Sequence, residues 1–296
     1  MQKIGQNFEL RKKLGSGAFG DIYLGVNTKN NIEVAIKLEP ISSSCPQLRY
    51  EHEIYKRLLA DNQSIDRGIP HVYYTSEECG FTFMVMDLLG ASLEELFVSK
   101  KKKFSLKTVV MIGLQFLERI EFIHSKGIIH RDIKPDNFLI GKLNKQNKIY
   151  ILDFGLAKRF VKGKWTYTIQ GIEDFDWNCQ ILQFKYTLRR RQQQSRRDDI
   201  ECMAYVLFYF LKSTLPWQNM RAKNKREKYE RIMEKKMTTT YDELCKGVPK
   251  EFGLILKHAR NLEFEEDPNY KYLRGLLESI CQQEKITVDY QFDWCK

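Results

Sequence analysis

The chain has 296 residues, 43% of them hydrophobic, with a formal charge of +11. That is enough apolar material for one large domain or two lobes and speaks against global disorder. Seven cysteines at irregular positions with no CxxC pair read as reduced thiols, the N-terminus has no apolar leader, and the longest uncharged apolar run, Cys202 to Leu211, is too short for a bilayer. A secreted or membrane-spanning protein is thereby disfavoured, and a cytoplasmic or nuclear one is expected. The positive charge favours an acidic partner, either nucleic acid or a negatively charged peptide. Each of the clusters Lys100–Lys103, Arg189–Arg191 and Lys223–Arg226 also fits a plain solvated face.

Residues 8 to 40 alternate apolar and polar around glycines, as twisted antiparallel strands do. Pro46 then opens a helical stretch from Gln47 to Leu59, with Leu48, Glu51, Ile54 and Tyr55 on one side. Phe81 to Leu89 reads as a buried strand ending at Gly90. The sequence Ser92-Leu93-Glu94-Glu95 is a capping box that starts a new helix. Ser105 to His124 forms a long helix, with Val109, Ile112, Phe116, Ile120 and Ile123 at helical spacing and Gly127 closing it. From Ile200 onward the pattern is again helical. Strands first and helices after predict an α+β protein with a β-rich lobe near 1–88 and an α-rich lobe near 91–296.

Four motifs carry chemistry. Gly15-Ser16-Gly17-Ala18-Phe19-Gly20 is a loop whose missing Cβ atoms let backbone amides approach phosphate oxygens. Val34-Ala35-Ile36-Lys37 sets an ammonium on a strand, where it can hold phosphates if a carboxylate anchors it. Glu51 and Glu53 compete for that role. Two residues apart on a helix they face different ways, and Glu51 is favoured because it shares a face with Leu48 and Tyr55. His130-Arg131-Asp132-Ile133-Lys134-Pro135-Asp136-Asn137 and Asp153-Phe154-Gly155 complete the set. Moving a phosphoryl group needs in-line positioning and charge neutralisation more than covalent chemistry. Asp132 suits the acceptor of a substrate hydroxyl proton, Lys134 a place beside the transferred group, and Asn137 and Asp153 the oxygen ligands of Mg2+. Any one of these residues alone could be a cap or a salt bridge. Their order matches the protein-kinase signature set.

More closely, the chain resembles the casein kinase 1 family. The resemblance is carried by Gly15-Ser-Gly-Ala-Phe-Gly-Asp-Ile-Tyr-Leu-Gly25, Met84-Val-Met-Asp-Leu-Leu-Gly90, Phe104-Ser-Leu-Lys-Thr108 and Lys134-Pro-Asp-Asn-Phe-Leu139. Ser195-Arg-Arg-Asp-Asp199, Leu215-Pro-Trp217, Lys228-Tyr-Glu-Arg231 and Leu244-Cys-Lys-Gly247 extend it toward the C-terminus. It implies a bilobal kinase domain over 1–296, with a hinge at 87–90, acting as a monomer with ATP and Mg2+. ATP would lie against Leu14, Gly15, Ser16, Gly17, Ala18, Phe19, Gly20, Asp21, Ile22, Ala35, Lys37 and Glu51. Met86 would be the gatekeeper, with Asp87, Leu88 and Leu89 along the adenine. Substrates would be Ser/Thr proteins that are acidic or already phosphorylated. Lys228 matches one of the basic residues that the family uses for a priming phosphate. The arginine of the family's T-G-T-A-R is absent as written, and Asn219 stands where glycine is usual.

One stretch departs from the family. Between Lys164 and Ser195 no T-G-T-A-R survives. When the last two bases of each codon are read with the first of the next, Thr166 to Ile172 can encode His-Ile-Pro-Tyr-Arg-Glu. In the same shifted frame Phe175 to Ile181 can encode Leu-Thr-Gly-Thr-Ala-Arg, and Lys185 to Arg190 can encode Asn-Thr-His-Leu-Gly. These fragments fall in the family's order and spacing, so residues near 165–193 read as a family segment one base out of frame. The Arg189–Arg191 cluster would then be a product of that shift. Three functions compete: an active Ser/Thr kinase, a kinase-fold scaffold or pseudogene product that binds ATP without efficient transfer, and a basic nucleic-acid-binding protein. No nucleic-acid reader motif is present, so the third ranks last and no nucleic-acid partner is expected.

Overall fold

The computed structural model describes residues 3–17, 20–44, 46–60, 67–160, 194–218, 220 and 222–295. Residues 165–193, where the shifted-frame reading falls, lie outside the described residues, as do Ala18, Phe19, Cys45 and Asn219. The chain divides into two compact units, Met1–Glu95 with Glu121–Arg159, and Leu96–Ile120 with Phe160–Lys296.

The first unit is built on six strands: β1 (Lys3–Ile4), β2 (Phe8–Gly17), β3 (Gly20–Asn27), β4 (Ile32–Pro40), β5 (Val72–Glu78) and β6 (Phe81–Asp87). They pair in the order β1-β2-β3-β4-β6-β5, with every neighbouring pair antiparallel. Successive strand residues point to opposite faces. Val34, Ile36 and Leu38 of β4 therefore join Ile4, Phe8, Phe83 and Val85 in one buried cluster. Ala35 and Lys37 are left on the other face, and that division positions the site. At the start of β3, Gly20 has φ +139°, and a Cβ there would fall 2.0 Å from the Leu38 carbonyl oxygen. Only glycine closes this hairpin without strain.

Helix α1 (Leu48–Leu58) buries Leu48, Glu51, Ile54, Tyr55 and Leu58 along one stripe. It is one residue shorter at each end than the expected stretch, because Gln47 and Leu59 serve as its caps. Strand β6 stops at Asp87 rather than Leu89. The ladder with β4 ends at Val34↔Asp87 although β4 itself starts at Ile32, because the chain leaves the sheet there and the Gly90 amide turns to the Ile140 carbonyl, 2.8 Å away. Helix α2 (Leu93–Ser99) begins at the expected capping box, in which the Ser92 amide donates to Glu95 Oε2 at 2.7 Å and the Glu95 amide to Ser92 Oγ at 3.1 Å. In α3 (Leu106–Ser125) the five residues expected on the apolar stripe are fully buried, and Gly127 follows with φ +72°.

Short strands follow. β7 (Ile128–Ile129) pairs with β10 (Lys158–Arg159), and β8 (Phe138–Ile140) pairs with β9 (Ile149–Ile151). The second unit is helical, with α4 (Arg196–Lys212), α5 (Lys225–Thr238), α6 (Tyr241–Cys245), α7 (Lys250–Asn261) and α8 (Tyr270–Gln283). Within it the Phe97 ring packs against Phe104, Tyr209 and Phe210 at 4.9, 4.9 and 5.0 Å. Helix α4 starts four residues before the expected Ile200, since the Ser195 amide donates to Asp198 Oδ2 at 2.8 Å and anchors the first turn. The architecture is thus mixed α+β, strand-rich toward the N-terminus and helical toward the C-terminus. Among the described residues, Cys79, Cys202, Cys245, Cys281 and Cys295 form no disulfide, and no helix is long and apolar enough to cross a membrane.

Candidate active site

On β4 the register sets Lys37 opposite Ile22 of β3 and Met84 of β6, and Ala35 opposite Leu24 and Met86. From there Lys37 Nζ donates to Glu51 Oε2 at 2.5 Å and to Asp153 Oδ1 at 3.1 Å. Glu51 is 2% exposed, whereas Glu53, the other candidate partner, is exposed. Burial works against the Lys37 charge, but Glu51 and Asp153 outweigh it and hold the ammonium above the usual lysine range. Burial likewise pushes the Glu51 carboxyl up, with Lys37 offsetting part of the rise. Burial would raise Asp153 too, yet Lys37 prevails and holds it below the usual carboxylate range.

Asp153 sits in the left-handed region, at φ 64° and ψ 68°. Such a conformation persists only where its surroundings over-determine it. Here the next residue, Phe154, is fully buried, with the Tyr55 and His130 rings each 5.0 Å from its own. His130 supplies a second tie. Its Nδ1 accepts the Asp132 amide at 3.3 Å, so Nε2 carries the proton and donates to the Leu152 carbonyl at 2.9 Å. The Leu152 amide in turn donates to the Asn137 carbonyl at 2.9 Å. The segments 130–137 and 152–155 are therefore fastened to each other through Leu152. Sequence reasoning gave His130 no role, although an HxD spacing signals a ring that can bridge two segments.

Asp132 lies between two donors. Lys134 Nζ reaches its Oδ2 at 2.6 Å, and Asn137 Nδ2 reaches the same oxygen at 2.9 Å and the Asp132 carbonyl at 2.8 Å. Burial opposes the Lys134 charge, but Asp132 outweighs it and raises the lysine. With its NH2 committed to Asp132, Asn137 keeps an amide oxygen. Together with the Asp153 carboxylate this is the hard-oxygen donor set that suits Mg2+.

Around these groups, Met86 is buried at the end of β6 and Leu88 and Leu89 are half-buried after it. The Asp87 carboxylate accepts the His71 amide at 2.9 Å and the Tyr73 hydroxyl at 2.5 Å, and so turns to β5. In the glycine hairpin Gly15 faces Ile22, Ser16 faces Asp21, and Gly17 faces Gly20. Ser16 Oγ donates to Asp21 Oδ1 at 2.8 Å, Lys13 pairs with Asp21 at 2.8 Å, and these two partners hold the Asp21 carboxyl low. Leu14 and Ile22 are exposed, and nothing lies within 4 Å of a Cβ at Gly15. Lys37, Glu51, Asp132, Lys134, Asn137 and Asp153 all belong to the first unit. Lys228 is exposed on α5 in the second.

A family model described as "Protein kinase domain" matches residues 8–285. The match takes in the glycine hairpin, the strand lysine and both acidic segments in their chain order. By this match and the architecture that accompanies it, the chain belongs to the protein kinase family and has the α+β kinase fold.

Proposed function

We propose that the protein transfers the γ-phosphate of ATP to serine and threonine hydroxyls of acidic or already phosphorylated proteins, as a kinase of the casein kinase 1 type. The observation that carries this reading is the double engagement of Lys37 by Glu51 and Asp153, in the same unit as Asp132 with its two donors. Held between two carboxylates, the Lys37 ammonium is presented to the α- and β-phosphates. Gly15, Gly17 and Gly20 leave the hairpin backbone open to the phosphates, with Ser16, Ala18, Phe19 and Asp21 completing that cover. Leu14, Ile22, Ala35 and Met86 supply apolar walls for the adenine, and the backbone from Asp87 to Leu89 runs along its edge. Asp132 orients the substrate hydroxyl and accepts its proton. Lys134 neutralises charge on the transferred group, and its place two residues after the base supports Ser/Thr substrates. Asn137 and Asp153 would hold Mg2+, which supplies neutralisation of phosphate charge. Lys228 would attract the acidic or phosphorylated part of the peptide. The lobes divide near 88–91, and the enzyme works as a monomer in the cytoplasm or nucleus.

The test is a pair of variants. Asp132→Asn should lower phosphorylation of an acidic peptide by on the order of 10²–10⁴ while nucleotide binding persists. Lys37→Met should instead weaken productive ATP engagement. Near wild-type turnover in the first, or unchanged ATP kinetics in the second, removes the corresponding assignment. The sequence of 165–193 favours a second reading, a scaffold that binds ATP but transfers poorly, which the same assay on the unaltered chain separates.

A further inference from the structure

Two residues beyond Lys37 on the same strand, and on the same face by strand alternation, stands a buried acid that the catalytic reading does not use. Glu39 is 2% exposed. Its carboxylate is spent on the backbone at the start of α1. The Gln47 amide donates to Oε1 at 2.9 Å and to Oε2 at 3.0 Å, and the Leu48 amide donates to Oε2 at 2.8 Å. The first amides of a helix have no partner within it, and a carboxylate there also meets the positive end of the helix dipole. The Gln47 side chain does not cap the helix, so Glu39 does so from a strand.

Strand β4 therefore grips α1 at two points of opposite sense. Its carboxylate holds the helix backbone at Gln47 and Leu48, and its ammonium holds the helix carboxylate at Glu51, about one turn further on. A single ion pair between long side chains would let the helix pivot or slide about it. The second grip fixes the distance along the helix axis at which Glu51 meets Lys37. The N-terminal half of α1 is held by one further hydrogen bond, in which Tyr50 donates its hydroxyl to the Ala157 carbonyl at 2.9 Å.

We propose that Glu39 is a positioning residue for nucleotide phosphates, acting through α1 and Glu51 on the direction of the Lys37 ammonium. The inference rests on reading Lys37 as the phosphate-binding group. A cap with only a structural role would stabilise the helix and leave Lys37 and its ligand unaffected.

The experiment measures binding of a fluorescent ATP analogue with Mg2+ to the wild type, Glu39→Ala, Glu51→Gln, the double variant and Lys37→Met. It is done at a temperature where circular dichroism shows each to be folded. Glu39→Ala should weaken binding roughly tenfold, as removal of a group that supports a ligand-binding side chain does. It should add nothing in the Glu51→Gln background, because both changes disable one route. Acylation of Lys37 by an amine-reactive reagent, read by mass spectrometry without nucleotide, should be faster in Glu39→Ala. Wild-type affinity in Glu39→Ala, or full additivity in the double variant, overturns the inference alone. A wild type that fails to bind, or a Lys37→Met variant that binds as well as it does, overturns the reading of Lys37 and the inference with it. Should Glu39→Ala not fold, Glu39→Gln keeps one acceptor and should show a smaller loss with faster Lys37 acylation. Wild-type behaviour of that variant in both readouts overturns the proposal.

Discussion

Lys134 turns back along the chain and donates to Asp132 Oδ2 at 2.6 Å. Asp132 and Lys134 are one electrostatic unit, so on the proposed reading of Asp132 as base, removing the cation should damage the reaction more than binding. Lys134→Ala is expected to lower kcat by about 10²–10³, the cost of losing one donor aimed at developing charge. The Kd for ATP should stay near wild type. Steady-state kinetics on an acidic peptide, with a separate binding titration, check the split.

Two glycines of the hairpin should respond differently. At Gly20 the backbone angle and the Leu38 carbonyl both exclude a side chain. Gly20→Ala should lose about 1–3 kcal/mol of stability through backbone strain alone. At Gly15 a Cβ would meet nothing, so Gly15→Ala should melt like the wild type yet bind ATP more weakly. Thermal melts and nucleotide titrations of the two variants provide the comparison.

Lys158 gives a pH dependence with a definite sign. Burial, and then the neighbouring Arg131 charge, push it down from 10.5 to about 8. Between these values the unfolded chain binds more protons than the native one, so this group makes stability rise with pH from about 8 to 10.5 and contributes no slope below 8. Lys158→Met should be more stable than the wild type at pH 7, and the difference should close as pH approaches 10.5. Denaturant unfolding of both proteins across that range measures it.

Much of this was legible because it is periodic. The stripe Leu48, Glu51, Ile54, Tyr55 and the five apolar positions of α3 follow from helical spacing alone, and the choice of Glu51 over Glu53 as the partner of Lys37 needed only the same argument. What escaped reading has no period. Glu39 ends a strand beside a proline, where an acid ordinarily faces water, and only the arrival of α1 eight residues later gives it donors. The Asp87–Tyr73 bond depends on β5 pairing beside β6, a contact that no local pattern announces. The end of β6 was misjudged because apolar Leu88 and Leu89 continue the strand's composition after its ladder has stopped.

Lys228 is exposed on α5, so its effect on substrate choice should be small and salt-sensitive. Lys228→Ala is expected to reduce the preference for peptides with an upstream phosphate or carboxylates by about two- to fivefold, the range of a solvent-exposed charge pair. Raising the salt should shrink the difference. Equal rates of the wild type on primed and unprimed peptides at low salt would remove the assignment.

For residues 165–193 the comparison is between the chain as written and one carrying the frame-corrected segment. Every assigned catalytic and ATP-binding residue lies outside this stretch. Both proteins should therefore bind nucleotide, and the corrected one should phosphorylate an acidic peptide faster. If the unaltered chain is equally fast, the segment is an evolved element and the out-of-frame reading fails.

Side chains along β4 alternate between the buried cluster and the face that carries Lys37. A slip of one residue against β6 would exchange the two sets, putting Ile36 where the ammonium belongs and the ammonium among Phe83 and Val85. Such a slip is forbidden twice over, by a charge driven into hydrocarbon and by an apolar side chain set against Glu51. Folding thus proofreads the site. A molecule with its first sheet correctly assembled has its cation at the right address, and one with the sheet out of step lacks a core as well as the Lys37–Glu51 pair. Partly folded chains that bind nucleotide, or well-packed chains that present the wrong residue to it, should for this reason be scarce.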